Sequence, residues 1–455
     1  MDKPTTPCDE AQVPARPGIE LLPVELTDLI FRNAIEDQTS ISTCTLVSRS
    51  WRQVALPHLF SSLRITRQAR FNALDGFLTS HSHIARCVRK LEVRHLPGDV
   101  GAPTSGSHTS AITYGCIASI TTKLPELQEL HLQGIWFADT ATMADQLYPA
   151  DLAVSTRLKT LTLQQCANGG NRPITLQTLH AILAIFPADT VSLYVLTVAH
   201  NPSYDPTASI VPSHWGQWRV HTLTLYRNNT QRWPTYDLVQ LYDMLRRVIA
   251  HRCLRTLRTQ YGIARQRLES LRAFGEFLDH AGGETLRTLE LPFTIAQSVY
   301  PSEDDPDYWR VLRLNTCCDL ESLTLWVYIP RLRYLATIRH TLAPITHSDV
   351  PPSAVCIAIL ANVSPTLRTL TLALFQASGP VCIQSEKLSL GLIDDALSEQ
   401  RFPSLTKVKI VLYDSVSMEE SSEAVREMMP KCRQRGLLDF TAGSNSLELD
   451  SYDTV

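Results

Sequence analysis

The sequence predicts an α/β fold: a short N-terminal unit of three helices, then an irregular solenoid of parallel β-strands alternating with helices. Three observations lead there. A pattern of the form L-x-x-L-x-L returns about eleven times after residue 60. Segments with helical apolar spacing fill the intervals between copies. Within a copy such as LKTLTL, apolar residues alternate with Thr, Lys, Arg or Glu, so a strand built from it has one apolar and one polar face.

Residues 1–20 contain four prolines and few large apolar residues, the composition of a disordered lead. Residues 21–60 carry three short helical patterns. Leu22-Pro23 opens the first, with proline expected in the first turn, where its missing N–H is not needed. Leu22, Leu26, Leu29 and Ile30 share its apolar face. Ser40 is the expected cap of a second helix from Ile41, whose face Cys44 and Val47 continue. Ser48 or Ser50 is expected to cap a third, carrying Trp51, Val54 and Ala55. Three helices in roughly 40 residues sit at the size where a domain seldom stabilises itself. Their apolar surface therefore calls for a cover, either the first repeats or another protein.

Residues 61–440 form the repeat region, preceded by the start of its first copy. The copies are FSSLRI (from Phe60), VRKLEV (Val88), LQELHL (Leu127), LKTLTL (Leu158), VHTLTL (Val220), LRTLEL (Leu286), LESLTL (Leu320), LRTLTL (Leu367) and LTKVKI (Leu405). Two weaker ones are TVSLYV (Thr190), centred on Leu193, and LRTLRT (Leu254). Their mean spacing of roughly 35 residues lies in the range of solenoid arrays. Helical segments are expected at 174–186, 236–251, 267–280 and 334–343. Stretches rich in Pro, Ser, Asp and Gly at 97–110, 201–216, 301–307 and 344–353 are expected loops. The tail 441–455 is expected to be disordered. A (β/α)8 barrel shares the alternation, but its strands are buried on both faces and lack the Thr–Leu alternation seen here.

Composition narrows the function. Apolar residues make up 44% and charged residues 19%, as in globular proteins. A net charge of −3 provides no electrostatic footprint for nucleic acid or an anionic membrane. Eleven cysteines without a CxxC pair suggest free thiols, and the polar lead lacks a secretory h-region, so a cytoplasmic or nuclear setting is expected. The sequons at Asn228 and Asn362 are then chance matches. The longest apolar run, 355–363, is too short for a membrane helix.

The repeats resemble those of leucine-rich-repeat proteins of the long, irregular kind. Two copies extend to that family's fuller form, Leu158-Leu161-Leu163-Cys166 and Val220-Leu223-Leu225-Asn228. The order Leu22, Pro23, Glu25, Leu26, Ile30, Phe31, Leu46, Val47, Trp51, Arg52, Leu59, Phe60 is similar to the F-box, in the phrasing of fungal members. The second helix departs from it, being rich in Thr and Ser (SISTCT) where many members are acidic and rich in Leu. The resemblance implies docking on the Skp adaptor and, through it, on the cullin scaffold of an SCF-type ubiquitin ligase. Leu22, Pro23, Leu26, Leu29, Ile30, Leu46, Val47 and Trp51 would form the adaptor interface or its support, and the repeat domain would hold an unknown protein substrate. The alternative is a repeat scaffold with no link to ubiquitin, in which the N-terminal helices cap the array.

A solenoid offers its strand surface to a partner, and positions 3, 5 and 7 of each copy should face it. Tyr226, Arg258 and Trp326 lie at such positions and belong to the residue types that anchor interfaces, so they are the candidate substrate contacts. No GxGxxG, Walker A or GxSxG motif is present, and no cofactor or catalytic residue is assigned. His81-x-His83 lacks a nearby cysteine and reads as surface, not zinc. Asp304-Asp305 reads as solvated loop charge, and Asp394-Asp395 as acidic residues opening a helix. A non-enzymatic protein is expected.

Overall fold

The computed structural model describes residues 22–34, 37–66, 68–94, 112–137, 157–168, 173–194, 198–199, 218–226, 238–259, 268–293, 308–328, 352–375, 380–385, 388–413 and 417–443. The lead 1–20, the helix expected at 334–343, the loops 97–110, 201–216 and 301–307, and Asn228 lie outside these residues.

Twelve strands form one sheet: β1 (Ser62–Ile65), β2 (Lys90–Arg94), β3 (Glu129–Gln133), β4 (Leu158–Gln164), β5 (Ala188–Tyr194), β6 (Thr222–Tyr226), β7 (Thr256–Thr259), β8 (Thr288–Phe293), β9 (Ser322–Tyr328), β10 (Thr369–Phe375), β11 (Lys407–Leu412) and β12 (Leu438–Ala442). They lie in sequence order, each parallel to the next. β1 and β12 are open edges, so the sheet does not close into a barrel. Two-residue strands add short sheets, Trp136–Phe137 with Ala167–Asn168 and Ile174–Thr175 with Val198–Ala199.

Register explains why the copies share a sequence. Leu91, Leu130, Leu161, Val191, Leu223, Leu257, Leu289, Leu323, Leu370 and Val408 stand side by side across the sheet. All are buried in one continuous core between the sheet and the helices. Each fully buried Leu contributes about 1.5–3 kcal/mol relative to exposure, so a row of this kind is a main source of stability. The eleven copies correspond to β1–β11, with one correction. In β5 it is Val191, not Leu193, that occupies the central position, because Leu223 pairs with Val191 and Leu225 with Leu193. The true copy begins two residues earlier, at Ala188, whose small side chain hides the pattern.

Helices Leu176–Ile185 and Leu238–Val248 fall inside the segments expected at 174–186 and 236–251, and Leu268–Ala281 runs one residue past the segment expected at 267–280. Side-chain oxygens satisfy free N–H groups at helix starts where the sequence supplies them: Thr175 Oγ1 accepts from Thr178 N at 3.2 Å at the start of Leu176–Ile185, and Ser417 Oγ from Glu420 N at 3.3 Å at the start of helix Met418–Met428. Gly275 allows helix Leu268–Ala281 to approach the 3₁₀ segment Tyr308–Leu312: a Cβ there would meet Val311 O at 1.9 Å.

Three further expectations are corrected. Helix Pro352–Asn362 begins inside the stretch expected to be a loop, since Pro352 suits a first turn. β12 reaches Ala442, past the expected start of the tail at 441. Asp394 ends helix Leu390–Ala396 instead of opening it; it is buried, and its carboxylate accepts from Lys431 N and Cys432 N, both at 2.8 Å, at the start of helix Pro430–Gln434.

Candidate partner-binding surfaces

The N-terminal unit comprises α1 (Val24–Asn33), α2 (Gln38–Cys44) and α3 (Arg49–Leu59). Pro23 sits just before α1 and its carbonyl accepts from Leu26 N and Thr27 N. Asp37, not Ser40, caps α2, accepting from Ser40 N at 3.0 Å, so the helix starts earlier than its apolar spacing suggests. α2 ends at Cys44, leaving Val47 in the connection to α3. Ser48 caps α3 through Trp51 N at 3.2 Å.

The three helices share a small core of their own. Phe31, Ile41 and Ala55 are buried in it, with Ala34, Cys44, Trp51, Val54 and Leu59 packed around them. Trp51 meets Phe31 edge-on at 5.7 Å, which makes it a support of the unit more than part of its outer face. His58 Nε2 and Asp28 Oδ1, 2.7 Å apart, tie α3 to α1. Leu22, Pro23, Leu26, Leu29, Ile30, Leu46 and Val47 point outward. Seven of the ten exposed large apolar side chains among the described residues lie between Leu22 and Val47, with Leu46 85% exposed. Scattered exposure needs no explanation, but a cluster of this size on one small unit makes it a candidate interaction surface.

The second surface is the sheet face away from the helices. Position 3 presents a ladder of Thr160, Thr190, Thr222, Thr256, Thr288, Ser322 and Thr369 on seven neighbouring strands. Position 5 presents Arg64, Glu92 and His131 at one end and Arg258, Glu290, Thr324, Thr371 and Lys409 towards the other. Burial pushes the Glu92 carboxyl up, but Arg94 and Arg64, both hydrogen-bonded to it, outweigh burial and hold it below the usual glutamate range.

The three candidate contacts are on this face. Tyr226 stacks on Tyr194 of the neighbouring strand, with ring centroids 4.7 Å apart. Burial, then Glu290 and Tyr194, push its phenol up to about 12. Arg258 Nε lies 3.8 Å from Glu290 Oε2. Trp326 stacks on Phe375 at 5.3 Å, and Phe375 on Tyr413 at 4.0 Å. Trp326, Ala373 and Phe375, with Val411 and Tyr413 against them, make an apolar cluster separate from the main core.

Sequence reading missed the centre of this arrangement. Glu290, at position 5 of LRTLEL, is held by burial above the usual glutamate range, with Arg258 and Trp326 pulling the other way. It also raises the Tyr413 phenol, after burial. Only strand register reveals this, because Tyr226, Glu290, Trp326 and Tyr413 come from four separate copies.

A cleft of about 830 Å³ lies elsewhere, lined by Asp279, Arg313, Asn362, Ser364 and Arg401 among others. Its arginines are engaged: Arg313 Nη1 pairs with Asp279 Oδ2 at 3.0 Å, and Arg401 donates to the Ala361 carbonyl. Among the described residues there is no group of His, Cys, Asp or Glu suited to a metal ion, and His81 stacks on Phe77 at 4.6 Å. No helix among them is long and apolar enough to cross a membrane, and the ten described cysteines are free thiols. No protein-family model matches the chain, and a search of curated proteins finds no match.

Proposed function

We propose that the chain is a substrate-recognition subunit of an SCF-type cullin–RING ubiquitin ligase, docking on the Skp adaptor through residues 22–60 and holding its substrate on the sheet face away from the helices. It does no chemistry. It raises the local concentration of substrate lysines at the ligase. The observation that carries this reading is the uncovered apolar face of Leu22, Leu26, Leu29, Ile30, Leu46 and Val47 on a helical unit with its own core. A scaffold that used these helices only as a cap would bury that face on the first strands, and it is exposed. Each half-exposed Leu or Ile covered by a partner contributes on the order of 1 kcal/mol, so six together support a stable complex.

The test is co-purification of the full chain with the Skp adaptor, set beside a Leu22→Ala/Pro23→Ala/Ile30→Asp variant of equal thermal stability. Capture by the wild type and loss in the variant are expected. No capture by either refutes the ubiquitin reading.

A further inference from the structure

We infer that the sheet face away from the helices takes a basic side chain, lysine or arginine, of an extended segment of the bound protein, seated on the Glu290 carboxylate between the Tyr226 and Trp326 stacks. This deepens the reading of that face as the substrate surface and is independent of the adaptor-binding helices.

Three observations converge. The first is an under-paired acid. The Glu290 side chain is only 17% exposed, and its one ion pair among the described residues is the 3.8 Å approach of Arg258, itself 52% exposed. A nearly dry carboxylate with one long, half-solvated partner retains capacity for a second cation. The second is its aromatic frame. The Tyr194–Tyr226 stack stands on β5 and β6, and the Trp326–Phe375–Tyr413 stack on β9, β10 and the residue after β11. Ring faces attract ammonium and guanidinium groups, most strongly where water is excluded. The third is a weakly engaged donor. Trp326 is 9% exposed, and its indole N–H lies close enough to Glu290 to favour the charged carboxylate without forming a full hydrogen bond to it. A backbone carbonyl of a bound segment would complete its bonding.

Dimensions agree. β6 and β9 are three strand spacings apart, roughly 14 Å, which admits one extended chain between the two stacks. An acidic partner held by Arg258 fits less well, because it would bring a second negative charge against Glu290.

The test is fluorescence anisotropy of the full-length protein with a labelled Ser/Gly-rich peptide carrying a central Arg flanked by Leu. Matched peptides carry norleucine or Glu at the centre. The Arg peptide should bind at least tenfold more tightly than the norleucine peptide, and the Glu peptide more weakly than either. Glu290→Gln, an isostere, should remove that preference without lowering the melting temperature. Arg258→Ala removes the internal competitor and should strengthen Arg-peptide binding or leave it unchanged. Trp326→Phe keeps the stack and should weaken all three peptides alike. Equal binding of the Arg and norleucine peptides, a preference for the Glu peptide, or loss of Arg-peptide binding in Arg258→Ala would each overturn the inference. None of these outcomes depends on adaptor co-purification, so the two readings fail separately.

Discussion

Gln165 follows β4 with φ 51°, a backbone conformation that the preceding repeat gives to glycine at the equivalent place, Gly134 with φ 62°. A side chain in that region costs about 1–2 kcal/mol. Glycine would relieve it but adds about 0.4–1 kcal/mol of unfolded-state entropy. Gln165 is exposed, so little packing is lost. Gln165→Gly should therefore stabilise the fold by up to about 1 kcal/mol, read from urea midpoints. Glu92 supplies a pH signature. Its folded pKa lies below the ordinary glutamate value of about 4.3, so the unfolded state binds more protons in that range. Its contribution is present above the ordinary value and fades as pH falls through the folded one. Glu92→Gln should flatten the acid limb of a stability–pH curve. A wild-type slope retained in the variant would assign that limb to other carboxylates. At this scale the sequence was a partial guide. It pointed to Tyr226, Arg258 and Trp326 by residue type, but could not show that Glu290 lies against Arg258, because that contact depends on two strands pairing in register.

Helix Leu268–Ala281 was legible from its apolar spacing, yet its glycine was not. Gly275 in a helix interior normally lowers stability by about 1 kcal/mol relative to Ala. Here alanine would overlap the Val311 carbonyl, with only 1.9 Å available. Overpacking of this kind costs about 1–3 kcal/mol, so Gly275→Ala should lower the melting temperature despite better helix propensity. The unread elements have similar physical causes. β12 escaped notice because Arg435 occupies the position where the other copies place an apolar residue; as an edge strand, β12 tolerates it. The cap of α2 was misplaced because Ser40 and Asp37 are both good caps, and only the backbone decides which N–H each reaches.

For the whole molecule, stability is close to a sum over neighbouring units, since each strand pairs only with the next. Denaturation should then deviate from two-state behaviour. Val408→Ala, at a fully buried site in β11, should lower amide-exchange protection in β10–β12 while β1–β3 stay protected. Uniform loss across the sheet would mean one cooperative block. The strand–helix alternation was legible because each copy carries its own pattern. The candidate surface around Glu290 was not, because its members are scattered through the chain. The open edges of the sheet have an evolutionary consequence. A closed barrel fixes its strand number through its circumference, whereas this ladder imposes no such count. Duplicating or deleting one strand–helix module lengthens or shortens the sheet face without disturbing the remaining register. The extent of the sheet face can thus change by gene duplication alone, with the N-terminal helices left untouched.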